Sequence, residues 1–172
     1  MLIGFQTTVY SQINDDPCYA FPINADGGCE SGTTVSASQD WVGDCQMPEL
    51  YENSVYYRTT TSAGNTRLKA TLTGLDEGAV MILDFNGNCE GTPTILAQNC
   101  GLIPLEAEAM VKGGKTYYIM VSTTEESAGT FTLCLEETAP PPGCAENDDY
   151  RDAEDFGTII YDDPTVCLEG CN

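Results

Sequence analysis

Nine cysteines, twenty-seven carboxylates and no histidine define the chemistry open to this chain of 172 residues. Lacking histidine, it has neither the usual general base at neutral pH nor the commonest metal ligand. No Gly-x-Ser-x-Gly segment supplies an elbow for a serine nucleophile. Two carboxylates at a suitable separation can hydrolyse glycosides, but among so many acids pairs arise by chance and none singles out an active site. A cysteine nucleophile must be free and activated, and a zinc site of cysteines alone wants paired Cys-x-x-Cys spacings. Here the intervals are wide and irregular, and the one close pair, Cys167 and Cys171, stands alone near the end. Scattered cysteines in an acidic chain read as disulfides, and disulfides imply an oxidising compartment. The expectation is a protein that is not an enzyme.

Two further groups of residues could bind rather than react. Asn14, Asp15 and Asp16 place three oxygen-bearing side chains at a tight turn, and calcium takes six to eight oxygens; Asp40, Asp44 or Glu49 could complete such a site. The same run before Pro17 is also ordinary turn composition, so calcium is the one cofactor the sequence admits. Trp41, Tyr51, Tyr56 and Tyr57 could form aromatic platforms for a sugar, or serve as half-buried packing residues on strands.

Elements must hold these groups in place, and the pattern along the chain is one of strands. Residues 54–61, 67–73, 79–85, 94–98, 105–109, 117–122 and 131–135 alternate with period 2 or run apolar, with β-branched and aromatic residues prominent. Residues 19–23 and 33–36 are weaker candidates. Residues 79–85 are nearly all apolar, as in a strand buried on both faces. Leu68, Ala70 and Leu72 share one face of their strand, with Arg67, Lys69 and Thr71 on the other. Residues 112–135 look like a closing hairpin across the polar loop 123–128. Residues 39–53 carry no period and read as a long loop. About nine strands and no helical period predict an all-β, disulfide-stapled antiparallel sandwich.

Charge and punctuation divide the chain. A net charge of -21 repels nucleic acid and anionic lipid, which excludes both as partners. No segment approaches the length of a membrane span. Residues 1–12 are uncharged and precede Asn14-Asp15-Asp16, like the remnant of a signal peptide. Residues 13–137 form the sandwich domain, and 138–143, with three successive prolines, form a stiff linker. Residues 144–172 carry nine acids against one arginine. There Asn147-Asp148-Asp149 and Cys167-Leu168-Glu169-Gly170 echo Asn14-Asp15-Asp16 and Cys29-Glu30-Ser31-Gly32, as the start of a second, truncated unit. Six cysteines precede the linker and three follow it, which suits a complete first domain.

Proximity along the chain suggests the bridges. Cys89 and Cys100 flank a reversal and form the easiest pair. Cys134 lies on the strand face opposite Phe131, Leu133 and Leu135, so it needs a partner outside the sheet, for which Cys18 is the candidate. Cys29 and Cys45 remain.

Asn14-Asp15-Asp16-Pro17-Cys18, Ser54-Val55-Tyr56-Tyr57, Phe85-Asn86-Gly87-Asn88-Cys89, residues 114–121 (GKTYYIMV) and residues 129–134 (GTFTLC) form an ordered series. This series resembles the cysteine-containing relatives of the bacterial pre-peptidase C-terminal domain, common in secreted and surface proteins of Bacteroidetes-type bacteria. The resemblance spans about residues 14–137. It implies a jelly-roll-like sandwich serving as a non-catalytic adhesion or accessory module of a larger secreted or cell-surface protein. Tyr10-Ser11-Gln12 is similar to signal cleavage sites of that group. A carbohydrate-binding module is the alternative. Partners would be an extracellular protein, a glycan surface or other domains of the same polypeptide.

Residues 144–172 are too few and too acidic to bury a core of their own. Limited proteolysis should therefore cut near 140–143 and leave 14–137 intact; a tail as resistant as the body would contradict this.

Overall fold

The computed structural model describes residues 12–40, 45, 51–64 and 66–139. The expectations for residues 1–11, Trp41, Asp44, Glu49, the prolines of the linker and residues 144–172 lie outside these. The chain divides after Thr138 into two compact units, and all strands described here belong to the first. After short 3-10 turns at Ile13–Asp15 and Pro17–Tyr19 come nine strands: β1 Phe21–Pro22, β2 Cys29–Thr33, β3 Asn53–Thr60, β4 Thr66–Thr73, β5 Glu77–Asp84, β6 Thr94–Leu102, β7 Leu105–Val111, β8 Thr116–Thr123 and β9 Thr130–Thr138. They form two sheets, ordered β1-β3-β8-β5-β6 and β2-β9-β4-β7. The all-β sandwich expected from the alternation is thus observed. Only β1 departs from antiparallel pairing, lying parallel to β3. Among the described residues no helix is long and apolar enough to cross a membrane.

The period-2 pattern works as predicted in the four-stranded sheet. Leu68, Ala70 and Leu72 of β4 are fully buried between the sheets with Leu105 and Ala107 of β7 and Leu133 and Leu135 of β9. The opposite face carries Arg67 and Lys69, ion-paired to Glu108 at 3.0 Å and Glu106 at 2.9 Å. The five-stranded sheet is different, because both its faces are apolar. Val80, Ile82, Ile119 and Val121 fill the space between the sheets. Met81, Leu83 and Met120 face the other way and are equally buried, beneath Ala20, Tyr51 and Cys45. A second hydrophobic layer, to which Ala20, Cys45 and Tyr51 contribute, therefore packs on this face. The uninterrupted apolar run of β5 reflects burial on both faces.

The disulfides join different partners from those expected: Cys18–Cys89, Cys29–Cys134 and Cys45–Cys100. Cys89 and Cys100 do flank a reversal, but Cys100 pairs in register with Ala79 while Thr94 pairs with Asp84. Six strand steps carry Cys100 roughly 20 Å from the turn. Cys18 cannot reach Cys134, because one lies outside the five-stranded sheet and the other outside the four-stranded sheet. The same separation excludes Cys29–Cys45. Cys134 does point away from the core, and its partner is the residue directly opposite on the edge strand β2. The closed loops span 71, 105 and 55 residues, so each bridge stabilises by about 4 kcal/mol if chain entropy dominates. Three bridges place the folded protein in an oxidising compartment.

Residues 112–135 are not a hairpin. β8 pairs with β3 and β5, whereas β9 pairs with β2 and β4. The loop between them passes from one sheet to the other, a path that a six-residue loop permits as readily as a hairpin. Thr34, fully buried, ties the crossing together. Its hydroxyl accepts from the Gly129 N–H at 3.1 Å and from the Thr123 hydroxyl at 3.0 Å, and its own N–H donates to the Gly129 carbonyl at 3.0 Å. The expected strand at 33–36 lies four residues earlier, at Cys29–Thr33, where the sequence suggests a turn; Ser36 has φ of 65°, outside extended structure.

Met120 faces away from the space between the sheets yet is fully buried. Met120→Ala should cost about 2–5 kcal/mol in denaturant unfolding, like any core truncation. A change under about 0.5 kcal/mol, typical of a surface position, would remove the second layer from this account.

Candidate functional site

Of the four aromatic residues the sequence offers as platforms, the three that are described pack inside the protein. Tyr51, Tyr56 and Tyr57 are buried, with 3, 1 and 3% of their surface exposed. Tyr51 and Tyr56 belong to the second layer and Tyr57 to the core between the sheets. Their strand neighbours already hinted at packing, but only the covering loop decides that Tyr56 is shielded. The exposed aromatics among the described residues are instead Tyr19 and Phe21. No sequence signal marks them, since residues 19–23 are apolar throughout and the two that are buried, Ala20 and Ile23, stand three apart.

Phe21 stands at the mouth of a groove of about 550 Å³ between the free edges of the two sheets. One wall is β1, with Phe21 and Pro22; the other is β2, with Glu30, Gly32 and Thr33. The floor is Tyr57. The Phe21 ring meets Tyr57 edge-on at 6.5 Å, and Tyr57 meets Phe131 edge-on at 6.1 Å. Three rings thus run from the groove into the core, in the edge-to-face geometry aromatic pairs prefer. Gly32 makes the groove possible, because a Cβ there would lie 2.2 Å from the Tyr57 hydroxyl and 2.6 Å from the Phe131 ring. Burial, and next the negative field of Glu30, push the Tyr57 phenol up to about 12, against a hydrogen bond from Asn14. It stays a neutral hydroxyl at any physiological pH.

The oxygen-rich residues gather elsewhere. Asp15, Asp16, Asp40 and Glu90 line a recess of about 590 Å³ over the outer face of the five-stranded sheet. Asn14 is buried, and its carboxamide donates to the Tyr56 carbonyl at 3.2 Å. Asp16 caps the turn that follows, accepting from the Cys18 N–H at 2.7 Å. Among the described residues no three His, Cys, Asp or Glu side chains form a group that could hold a metal ion. Asp40 is bonded to the Tyr56 hydroxyl, and its Oδ2 is buried without a hydrogen-bond partner among the described residues. Burial raises the Asp40 carboxyl above its ordinary value, the Tyr56 bond lowers it, and repulsion from Asp15 and Asp16 raises it further. Burial and the Asp40 charge likewise hold the Tyr56 phenol far above its ordinary range. This pair ties Asp40 to β3.

No family model matches the chain, and no curated protein is similar to it in sequence. Several solved structures resemble it. Aeromonas hydrophila PliG, a periplasmic inhibitor of g-type lysozyme, is 14% identical with a TM-score of 0.45, over 69% of this chain and 97% of that one. The pre-peptidase C-terminal domain of a Bacillus anthracis collagenase is 16% identical with a TM-score of 0.42, over 68% and 94%. The CBM22-1 and GH10 modules of Clostridium thermocellum xylanase 10B are 15% identical with a TM-score of 0.32, over 53% and 20%.

The Asp40 carboxyl is easier to protonate in the folded chain than in the unfolded one. Its contribution to stability is therefore complete below its ordinary value of 3.8 and is lost as pH rises through the raised folded value. Asp40→Asn, which keeps a partner for Tyr56, should gain stability relative to the parent as pH rises from acid to neutral. Urea unfolding at a series of pH values checks this, and a pH-independent difference would contradict it.

Proposed function

We propose that residues 13–137 form a non-catalytic binding module of a secreted or cell-surface protein, serving adhesion or an accessory role, with the groove between β1 and β2 as its binding face. The observation that carries this reading is Phe21, 43% exposed at the mouth of a concave opening whose floor is locked by buried rings. Binding sites are concave, apolar in the main and largely formed in advance, with a few convergent polar groups. The polar groups here are Glu30, Asn14, Thr33 and Thr130. An exterior protein is the partner this face suits best, because Ile13 and Val35, 70 and 48% exposed, extend the apolar surface on the same N-terminal side: Gln12 lines the groove and its carboxamide donates to the Val35 carbonyl at 3.0 Å.

A carbohydrate-binding module is the second reading. It is favoured by the open Phe21 ring beside hydroxyl and carboxamide groups, the combination on which a sugar stacks and hydrogen-bonds.

Arrays of extracellular proteins and of glycans, probed with the parent and with Phe21→Ser, test both. The expected result is saturable binding to a protein, weakened tenfold or more in the variant while its melting temperature stays within a few degrees. Saturable, Phe21-dependent binding to one sugar class alone would select the second reading. Binding unchanged in Phe21→Ser would remove the groove from either.

A further inference from the structure

The groove is bounded on one side by a strand, β2, that has only one neighbouring strand among the described residues. In the pairing of β2 with β9, Gly28 accepts from the Leu135 N–H at 2.8 Å and Thr34 donates to Gly129 at 3.0 Å. In an antiparallel ladder the bonded pairs alternate, so Glu30 and Gly32 bond inward to Leu133 and Phe131, their register partners. Cys29, Ser31 and Thr33 then direct their N–H and C=O groups away from the sheet, at its open edge. An edge of this kind is a template for another strand. Proteins guard such edges with charges that point inward, and Glu30 is one: it shares the inward face with Gly32 and acts on the Tyr57 hydroxyl.

The same carboxylate also selects what the edge accepts. A strand added to β2 would place alternate side chains over the groove, one beside Glu30 and another, two residues away, above Gly32 and against Phe21. Glu30 rejects an acidic or purely apolar strand and favours a cation, while the exposed Phe21 ring offers an apolar surface to the next groove-facing side chain. The chain as a whole, at -21, draws in a basic partner and repels an acidic one.

Resting on the groove as the binding face, we infer that the partner is an extended basic segment of another protein. It adds as a strand to β2, setting a Lys or Arg on Glu30 and an apolar side chain against Phe21 and Gly32. Main-chain bonds to Ser31 and Thr33 supply affinity, and the groove-facing side chains, set against Glu30 and Phe21, supply specificity.

The probe is a fluorescent nonapeptide alternating threonine with lysine and valine (TKTVTKTVT), titrated against the full chain. Its comparators are the glutamate-for-lysine counterpart and a version N-methylated at alternate residues. The lysine peptide should bind and the other two should not. Glu30→Gln should weaken it about fivefold, Glu30→Lys should shift preference to the glutamate peptide, and Glu108→Gln, on the outer face of the other edge strand, should change nothing. Ser31→Pro, which removes one outward N–H, should abolish binding with the melting temperature retained. Equal binding of both charge types, or indifference to N-methylation, would overturn the inference. A concentration-dependent dimer lost in Ser31→Pro would also overturn it, giving the edge to a second copy of the chain. Phe21-dependent binding to a glycan with no peptide binding would overturn it while leaving the groove as the binding face. No Phe21-dependent binding of any kind would remove both.

Discussion

The five-stranded sheet is apolar on both faces, and the rest of the structure follows from the need to cover it twice. One face meets the four-stranded sheet. The other, with Met81, Leu83 and Met120 fully buried, meets no third sheet among the described residues and packs against Ala20, Cys45 and Tyr51. Irregular backbone covers apolar surface poorly, because its polar groups need partners and its entropy must be suppressed. Each difficulty is met locally. Asn14 and Asp16 satisfy backbone groups, the Tyr56 hydroxyl holds Asp40, and the disulfides Cys18–Cys89 and Cys45–Cys100 fasten the cover at two points. Two of the three bridges thus serve a layer that secondary structure alone would not hold.

The third bridge has a different task. β2 is five residues long and largely exposed, so little burial attaches it to the sheet. Cys29–Cys134 joins it directly across the register. A short strand held by a covalent cross-link can leave its outer edge unpaired without detaching. That arrangement keeps the groove open: β1, only two residues long, leaves the facing edge short as well, and Gly32 leaves room for the Tyr57 ring beneath. Across the sandwich β6 and β7 run into each other through a tight connection, and the Asn99 side chain donates to the Glu106 carbonyl at 3.0 Å. One side of the sandwich is tied shut and the other is not.

Charge acts on a longer scale. Arg67 and Lys69 are committed to Glu108 and Glu106, and Lys115 pairs with Asp84 and donates to Asn86 at 3.2 Å, pinning the turn after β5. These exposed or half-exposed pairs contribute modestly to stability. Their larger effect is to use up cations, so the surface field is set by unbalanced carboxylates. Such a field governs approach and selection of partners more than it governs folding.

The sequence by itself determined β3 to β9, because alternation is a property of neighbours along the chain: Leu68, Ala70 and Leu72 must share a face whatever they pack against. It also determined that Cys134 faces outward and that six cysteines belong to the first domain, since parity and counting are local. Tertiary structure alone decided what meets what. The partners of Cys18, Cys29 and Cys45, the separation of β8 from β9, and the burial of Tyr56 all depend on which layer a segment joins. Nothing in a loop's own residues states this, because a chain reversal and a crossing between sheets use the same turn chemistry. The groove belongs to that second class. Phe21, Glu30, Gly32 and Tyr57 are spread over 37 residues of sequence, and only the meeting of two sheet edges makes them neighbours.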